Sequence, residues 1–356
     1  MKNPKLMPIV GLILLVLVLI SCQVQHYKYP IKTAVYWLSP TMSKENAKNL
    51  ALYSIVVADE ENSVNNPRSL KIIKRRNRDV KLLCYTNPLE IFSPMVPNRP
   101  IQDLIAKEIL EKYPQWLLKT SDAENATFWP RMTMLNLSTD CPRINGKTYV
   151  EYIAEKKLII LKDKVWNGSF EDNNGGNISW VYLGQKFQID ANNNHLNDNA
   201  DSLDYNWSMG IKNYLTLIRS GMDDKKLIIG NKGSVEFTNI VDGRWFEWFP
   251  NDYLGGKKNF GWDQCMINAE KTGAYTVFHV RPDDLMFGIA SALLIDNVYV
   301  AVAQNDAEIH PEFNIQLGKP IGKAQCNDTC YYRNYEKGRV EVRPWNREGK
   351  IIQFKK

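Results

Sequence analysis

The sequence predicts an α/β fold, a (β/α)8 TIM barrel with a small C-terminal β-element, from three observations. Eight short apolar runs rich in β-branched and aromatic residues recur along the chain. Segments of helical period separate most of them, and no glycine-rich phosphate turn follows the first run, "YWLSPTMSKEN", as a doubly wound sheet would want. Strands alternating with helices imply parallel pairing through right-handed crossovers, and eight such units close a barrel.

In order, the strand candidates are "TAVYWL" (33–38), "YSIVVAD" (53–59), "VKLLCYT" (80–86), "VWNGSFED" (165–172), "KLIIGN" (226–231), "RWFEWF" (244–249), "YTVFHV" (275–280) and "NVYVAVA" (297–303). Helical period appears in "SKENAKNLALY", "SLKIIKRRNRD", "IQDLIAKEILEKY", "TYVEYIAEKKLIILKDK", "YNWSMGIKNYLTLIRS", "WDQCMINAEKT" and "PDDLMFGIASALLID". Two segments exceed a plain barrel: an excursion over 87–147 and a polar insert over 173–204. The tail alternates apolar and polar residues around Lys337-Gly338 and Glu348-Gly349-Lys350, a β-hairpin pattern. The expected division is a leader over 1–21, a tether over 22–32, the barrel over 33–310 and the β-element over 311–356.

The N-terminus pairs a short basic region with the apolar run "IVGLILLVLVLI", too short for the ~18 apolar residues of a spanning helix and suited to a signal peptide. The ending "LISC" resembles a bacterial lipobox, which implies lipidation of Cys22 and export to the cell envelope. Gln23, where an aspartate would retain the protein at the inner membrane, points to the outer one if the cell has two. Losing Lys2 and Lys5 with the leader lowers the formal charge from +6 to +4. That charge is scattered apart from "KRRNR" (74–78), so nucleic acid is not an expected partner. The five cysteines after Cys22 are too sparse and odd in number for a disulfide scaffold; Cys326 and Cys330 alone are spaced to close a small loop.

Barrels of this kind place reacting groups at the carboxyl ends of strands. Asp172 closes the fourth strand, and period two puts it on the face of Phe170 and Gly168, with Glu171 facing away. Gly168 is expected to leave room inside the barrel. Glu247 ends the sixth strand on the same side of the ring, so the two carboxylates suit the acid and the nucleophile or base of glycoside hydrolysis. The competing interpretation has Asp172 capping its turn and Glu247 paired with Arg244 or Arg281. Aromatic side chains at strand ends, including Tyr36, Trp37, Tyr85, Trp180 and Trp248, offer stacking surfaces for sugar rings. Asp59, Glu60, Asn87, Asn173, Asn231 and His279 are placed to bond hydroxyls.

The motifs "WNGSFEDNN" and "GRWFEWFP" resemble the "DGIFLDN"-type fourth strand and "NGxxxEGFP"-type sixth strand of the hypothetical glycoside-hydrolase family fifteen, related to the barrels containing endo-α-1,4-polygalactosaminidases. "YWLSP", "CYTNP", "MLNLST" and "LGKPIGKA" followed by "YRNYEKGRVEVRP" extend the likeness from Tyr36 to Pro344. The resemblance implies Asp172 and Glu247 as the catalytic pair. Asn167 stands where that pattern has aspartate, and Trp248 where it has glycine.

"DANNNHLNDNAD" sets Asp190, Asn192, Asn194, Asp198 and Asp201 at calcium-loop spacing, but His195 occupies the position that wants glycine. A loop held by its own Asx turns is the alternative. No cofactor is required, and structural calcium is the one metal this spacing suggests. The sequence therefore leads to a lipid-anchored glycoside hydrolase acting on a polysaccharide or oligosaccharide. Its competitors are a non-catalytic glycan-binding lipoprotein on the same barrel and a metal-dependent deacetylase or hydrolase, which would need a histidine and aspartate cluster.

Overall fold

The computed structural model describes residues 31–181, 188–250, 261–304 and 307–354. Eight parallel strands form one sheet in chain order: β1 (Ala34–Trp37), β2 (Ile55–Asp59), β3 (Lys81–Thr86), β4 (Gly168–Glu171), β5 (Leu227–Asn231), β6 (Gly243–Phe246), β7 (Thr276–Val280) and β8 (Val298–Val302). A parallel bridge between Thr33 and Val300 joins the first strand to the last, with the Val300 amide donating to the Lys32 carbonyl at 2.9 Å. The sheet is the (β/α)8 barrel that the alternating pattern predicts.

The helical segments become α1 (Lys44–Leu50), α2 (Pro67–Arg76), α3 (Pro100–Lys112), α4 (Tyr149–Leu161), α5 (Ala200–Gly221), α6 (Trp262–Ala269) and α7 (Leu285–Leu294). Local chemistry fixes their starts. Ser43 and Thr148 form capping boxes with Asn46 and Glu151. Proline opens α2 and α3, where its missing N–H costs nothing. The first turn of α3 is also held from outside, because Glu61 accepts from the amides of Ile101 at 2.9 Å and Gln102 at 2.8 Å. Between β5 and β6 the chain makes only turns.

Strand parity divides the core in two. Ile55, Val57, Leu83, Phe170, Ile229 and Trp245 pack inside the barrel, whereas Val56, Leu82, Ile228, Phe246 and Phe278 face the helices. Gly168 does not make room in the interior, as its sequence position suggested. A Cβ there would lie 2.0 Å from the Leu227 carbonyl oxygen, so the glycine lets the backbones of β4 and β5 approach. Gly168→Ala is expected to cost about 1–3 kcal/mol or more, read as a lower urea midpoint; an unchanged midpoint would show that the strands yield freely.

The excursion and the insert knit together. Glu90–Phe92 pairs with Met132–Met134, and Lys119–Thr120 pairs across with Ile189–Asp190. The C-terminal element is larger than a hairpin: β9 (Pro320–Cys326), β10 (Tyr331–Tyr335), β11 (Gly338–Arg343) and β12 (Glu348–Gln353) form an antiparallel meander. Its last turn falls at 344–347, where Arg347 adopts a left-handed conformation, so Glu348-Gly349-Lys350 lies within β12 instead. The sheet packs on α7 through the Tyr335 hydroxyl, which donates to the Leu293 carbonyl at 2.5 Å, and through Arg333 bound to Asp296 at 2.8 Å. Cys326 and Cys330 flank a turn closed by Asn327 and are free thiols. Among the described residues no helix is long and apolar enough to cross a membrane, and the leader and Cys22 lie outside them.

Candidate active site

Parity carries Asp172 and Glu247, each one residue past its strand, toward the barrel mouth in line with Phe170 and Trp245. Between them, β5 ends on Asn231. Its side-chain amide donates to Asp172 Oδ1 at 2.8 Å and to Glu247 Oε2 at 3.0 Å. One nitrogen bonded to both places these two oxygens less than about 6 Å apart.

The two acids have different surroundings. Asp172 accepts three hydrogen bonds, from the Tyr85 hydroxyl at 2.6 Å, the Asn173 backbone amide at 2.8 Å and Asn231. Burial pushes the Glu247 carboxyl above the usual carboxylate range; the Asn231 bond lowers it in part and the Asp172 charge raises it further. Neither arginine of the competing interpretation is turned to ion pairing there. Arg244 is buried and donates to Asn174 at 2.7 Å and to backbone carbonyls, and the Arg281 guanidinium lies over the Trp248 ring at 5.6 Å.

Aromatic rings form the floor and one wall. Tyr36 stacks on Trp245 at 4.2 Å and meets Phe170 and His279 edge-on at 5.2 and 5.0 Å. Burial raises the Tyr36 and Tyr85 hydroxyls, and the charges of Glu247 and Asp172 raise both further. His279 is kept neutral, its pKa lowered to about 4 by burial. Trp248, 48 % exposed, presents its ring beside His279 at 5.9 Å. Asn87 belongs to the mouth as well, accepting from the Asn173 side chain at 3.2 Å.

Other expected binding residues lie elsewhere. Trp37 has the opposite parity to Tyr36; it packs under the helices and donates to the Thr41 carbonyl at 2.9 Å. Glu60 likewise points outward and is buried against Lys157, whose ammonium reaches both carboxylate oxygens at 2.6 Å. Asp59 faces inward but is buried under Arg99 at 2.9 Å and accepts from the Glu61 amide. Trp180 packs edge-on against Phe128 at 4.5 Å, within the knitted inserts. Glu171 faces away, as parity predicts, and is bound by Thr86 at 2.5 Å and Tyr214 at 2.9 Å. Asn167 lies at the opposite end of β4, holding Lys74 and the Leu82 amide.

The calcium-like loop is closed by its own backbone. Asp190 accepts from the amides of Asn194 and His195, Asp198 from Ala191, and Asn194 from Leu196. The helix α5 begins inside it, capped by Asn199, so Asp201 stands in a helical first turn and not at a loop ligand position. Among the described residues no group of three or more His, Cys, Asp or Glu side chains is arranged to hold a metal ion.

Sequence reasoning missed Glu90. It is buried at the start of the excursion, takes a long contact from the Asn87 amide at 3.4 Å, and senses the Asp172 charge. No periodicity marks it, since the strand it opens has only three residues.

A barrel with paired acids at the carboxyl ends of β4 and β6 is an architecture fit for glycoside hydrolysis. The chain belongs to hypothetical glycosyl hydrolase family 15, whose model matches residues 74–339. No curated protein matches it significantly. Among solved structures it is similar to a Flavobacterium johnsoniae GH31 dextranase complexed with glucose, at 11 % identity and a TM-score of 0.48, over 80 % of this chain and 38 % of that one. It is also similar to a Nostoc punctiforme debranching enzyme soaked with acarbose, at 9 % identity and a TM-score of 0.42, over 83 % and 78 % of the two chains. A Xanthomonas citri GH31 alpha-xylosidase matches at 10 % identity and a TM-score of 0.42, over 80 % and 35 %. The chain thus spans well under half the length of the dextranase and the xylosidase.

Proposed function

We propose that this protein hydrolyses O-glycosidic bonds of an envelope or extracellular glycan by a retaining, two-carboxylate mechanism. The observation that carries the reading is Asn231, whose bonds to both acids hold their oxygens within about 6 Å, a limit that admits the ~5–5.5 Å of retaining enzymes and falls under the ~6.5 Å at which inverting ones begin. Glu247, its pKa raised, holds the proton and gives it to the departing glycosidic oxygen. Asp172, acceptor of three hydrogen bonds, attacks the anomeric carbon and forms a glycosyl-enzyme. Glu247, now ionised, takes a proton from water as that water displaces Asp172, which restores both groups. Trp248 offers an open ring for the apolar face of a sugar.

Asp172→Asn tests the nucleophile. Against a panel of polysaccharides assayed for new reducing ends, turnover should fall at least ~10³-fold. Wild-type turnover by the folded variant would refute the assignment, and binding without turnover by the wild type would favour a glycan-binding protein.

The lipobox-like "LISC" supports a second part of the proposal, attachment to the cell envelope through a lipid on Cys22. Cys22→Ser, expressed in a bacterium with its own leader, should lose the incorporation of labelled palmitate that the wild type shows. Equal incorporation by the variant would rule out the lipid on this cysteine.

A further inference from the structure

The excursion after β3 delivers a carboxyl to the acid pair that the hydrolytic steps do not use. Glu90 is 2 % exposed, and its Oε1 has no hydrogen-bond partner among the described residues. Three contacts connect it to the nucleophile: Asn87 to Glu90 at 3.4 Å, Asn173 to Asn87 at 3.2 Å, and the Asn173 amide to Asp172 at 2.8 Å. Burial raises the Glu90 pKa to about 7, with the Asp172 charge adding to the rise, against lowering by Asn87 and the Trp129 backbone.

A buried carboxyl oxygen without a partner costs free energy, and a barrel mouth retains such a group where a ligand completes it. The Trp129 backbone reaches this carboxyl, while the Trp129 side chain is 53 % exposed and braced edge-on by Phe128 at 4.9 Å. Phe128 is itself packed against Trp180. An acceptor oxygen and an exposed indole on residues joined through the backbone suit a pyranose ring, one edge polar and one face apolar. Trp248 offers the other open ring, on the β6 side of the acids.

We propose that Glu90 and Trp129 form a sugar-binding subsite on the β3 side of the acid pair, which holds a residue of the glycan chain beyond the scissile bond. The inference rests on the hydrolase reading of Asp172 and Glu247 and adds to it an extended chain as the substrate class, lying between the Trp129 and Trp248 rings.

The test uses full-length protein carrying Glu247→Gln, labelled and applied to an array of defined oligosaccharides from one to six sugars. Adding Glu90→Gln or Trp129→Ala should lower the signal on chains of three or more sugars at least tenfold, with unchanged near-ultraviolet circular dichroism. Equal signals with and without the second substitution overturn the subsite. A failure of the hydrolase reading shows itself separately, as wild-type turnover by Asp172→Asn.

Discussion

Glu247→Gln is expected to abolish measurable hydrolysis, lowering kcat by at least ~10³-fold, while leaving the protein as stable as the parent or more stable at neutral pH. The two outcomes have one origin. Folding buries this carboxyl beside Asp172 and raises its pKa, so the folded chain holds the proton more tightly than the unfolded chain. Its contribution to stability is fully present below the unfolded pKa and is lost as pH rises through the folded one. Glutamine removes that loss, so the gain in melting midpoint should shrink as pH falls. The wild-type rate should decline on the alkaline side through the same ionisation, since only protonated Glu247 can act as the acid. A variant that melts lower at neutral pH by an equal margin at every pH would show that the carboxyl is structural.

Lys157→Met should produce the largest loss of stability, about 3–5 kcal/mol, because it leaves Glu60 buried without its counter-ion. Burial pushes the Glu60 pKa up even with the ammonium in place. The loss should therefore deepen as pH rises, when the stranded carboxyl must be kept neutral or ionise in a dry site. Glu60→Gln together with Lys157→Met should recover much of it, as an uncharged pair does not carry the desolvation of a lone charge. Chemical denaturation of the single and double variants checks both statements; additive losses would contradict the pairing.

Much of this site was legible because strand parity is a strict physical rule. Phe170 and Trp245 face inward, so Asp172 and Glu247 follow them, and Asn231 ends the strand between. The same rule separates Tyr36 from Trp37 and Asp59 from Glu60, and strand-end position alone failed where parity was not applied. Asp59 and Trp180 illustrate a different limit: their partners, Arg99 and Phe128, come from the excursion over 87–147, whose short strands carry no usable period. Glu90 was illegible for that reason too. In the calcium-like segment the spacing of Asp and Asn suits backbone amides as well as a cation: Asp190 accepts from 194 and 195, Asp198 from 191, and Asn194 from 196 in an Asx turn.

The most direct test of the central claim is proton NMR of the first anomer released from a polysaccharide this protein cleaves, recorded before mutarotation. The spacing imposed by Asn231 between Asp172 and Glu247 predicts that the product initially keeps the anomeric configuration of the bond broken. Initial release of the opposite anomer would contradict the covalent role of Asp172 and require a water between the two acids.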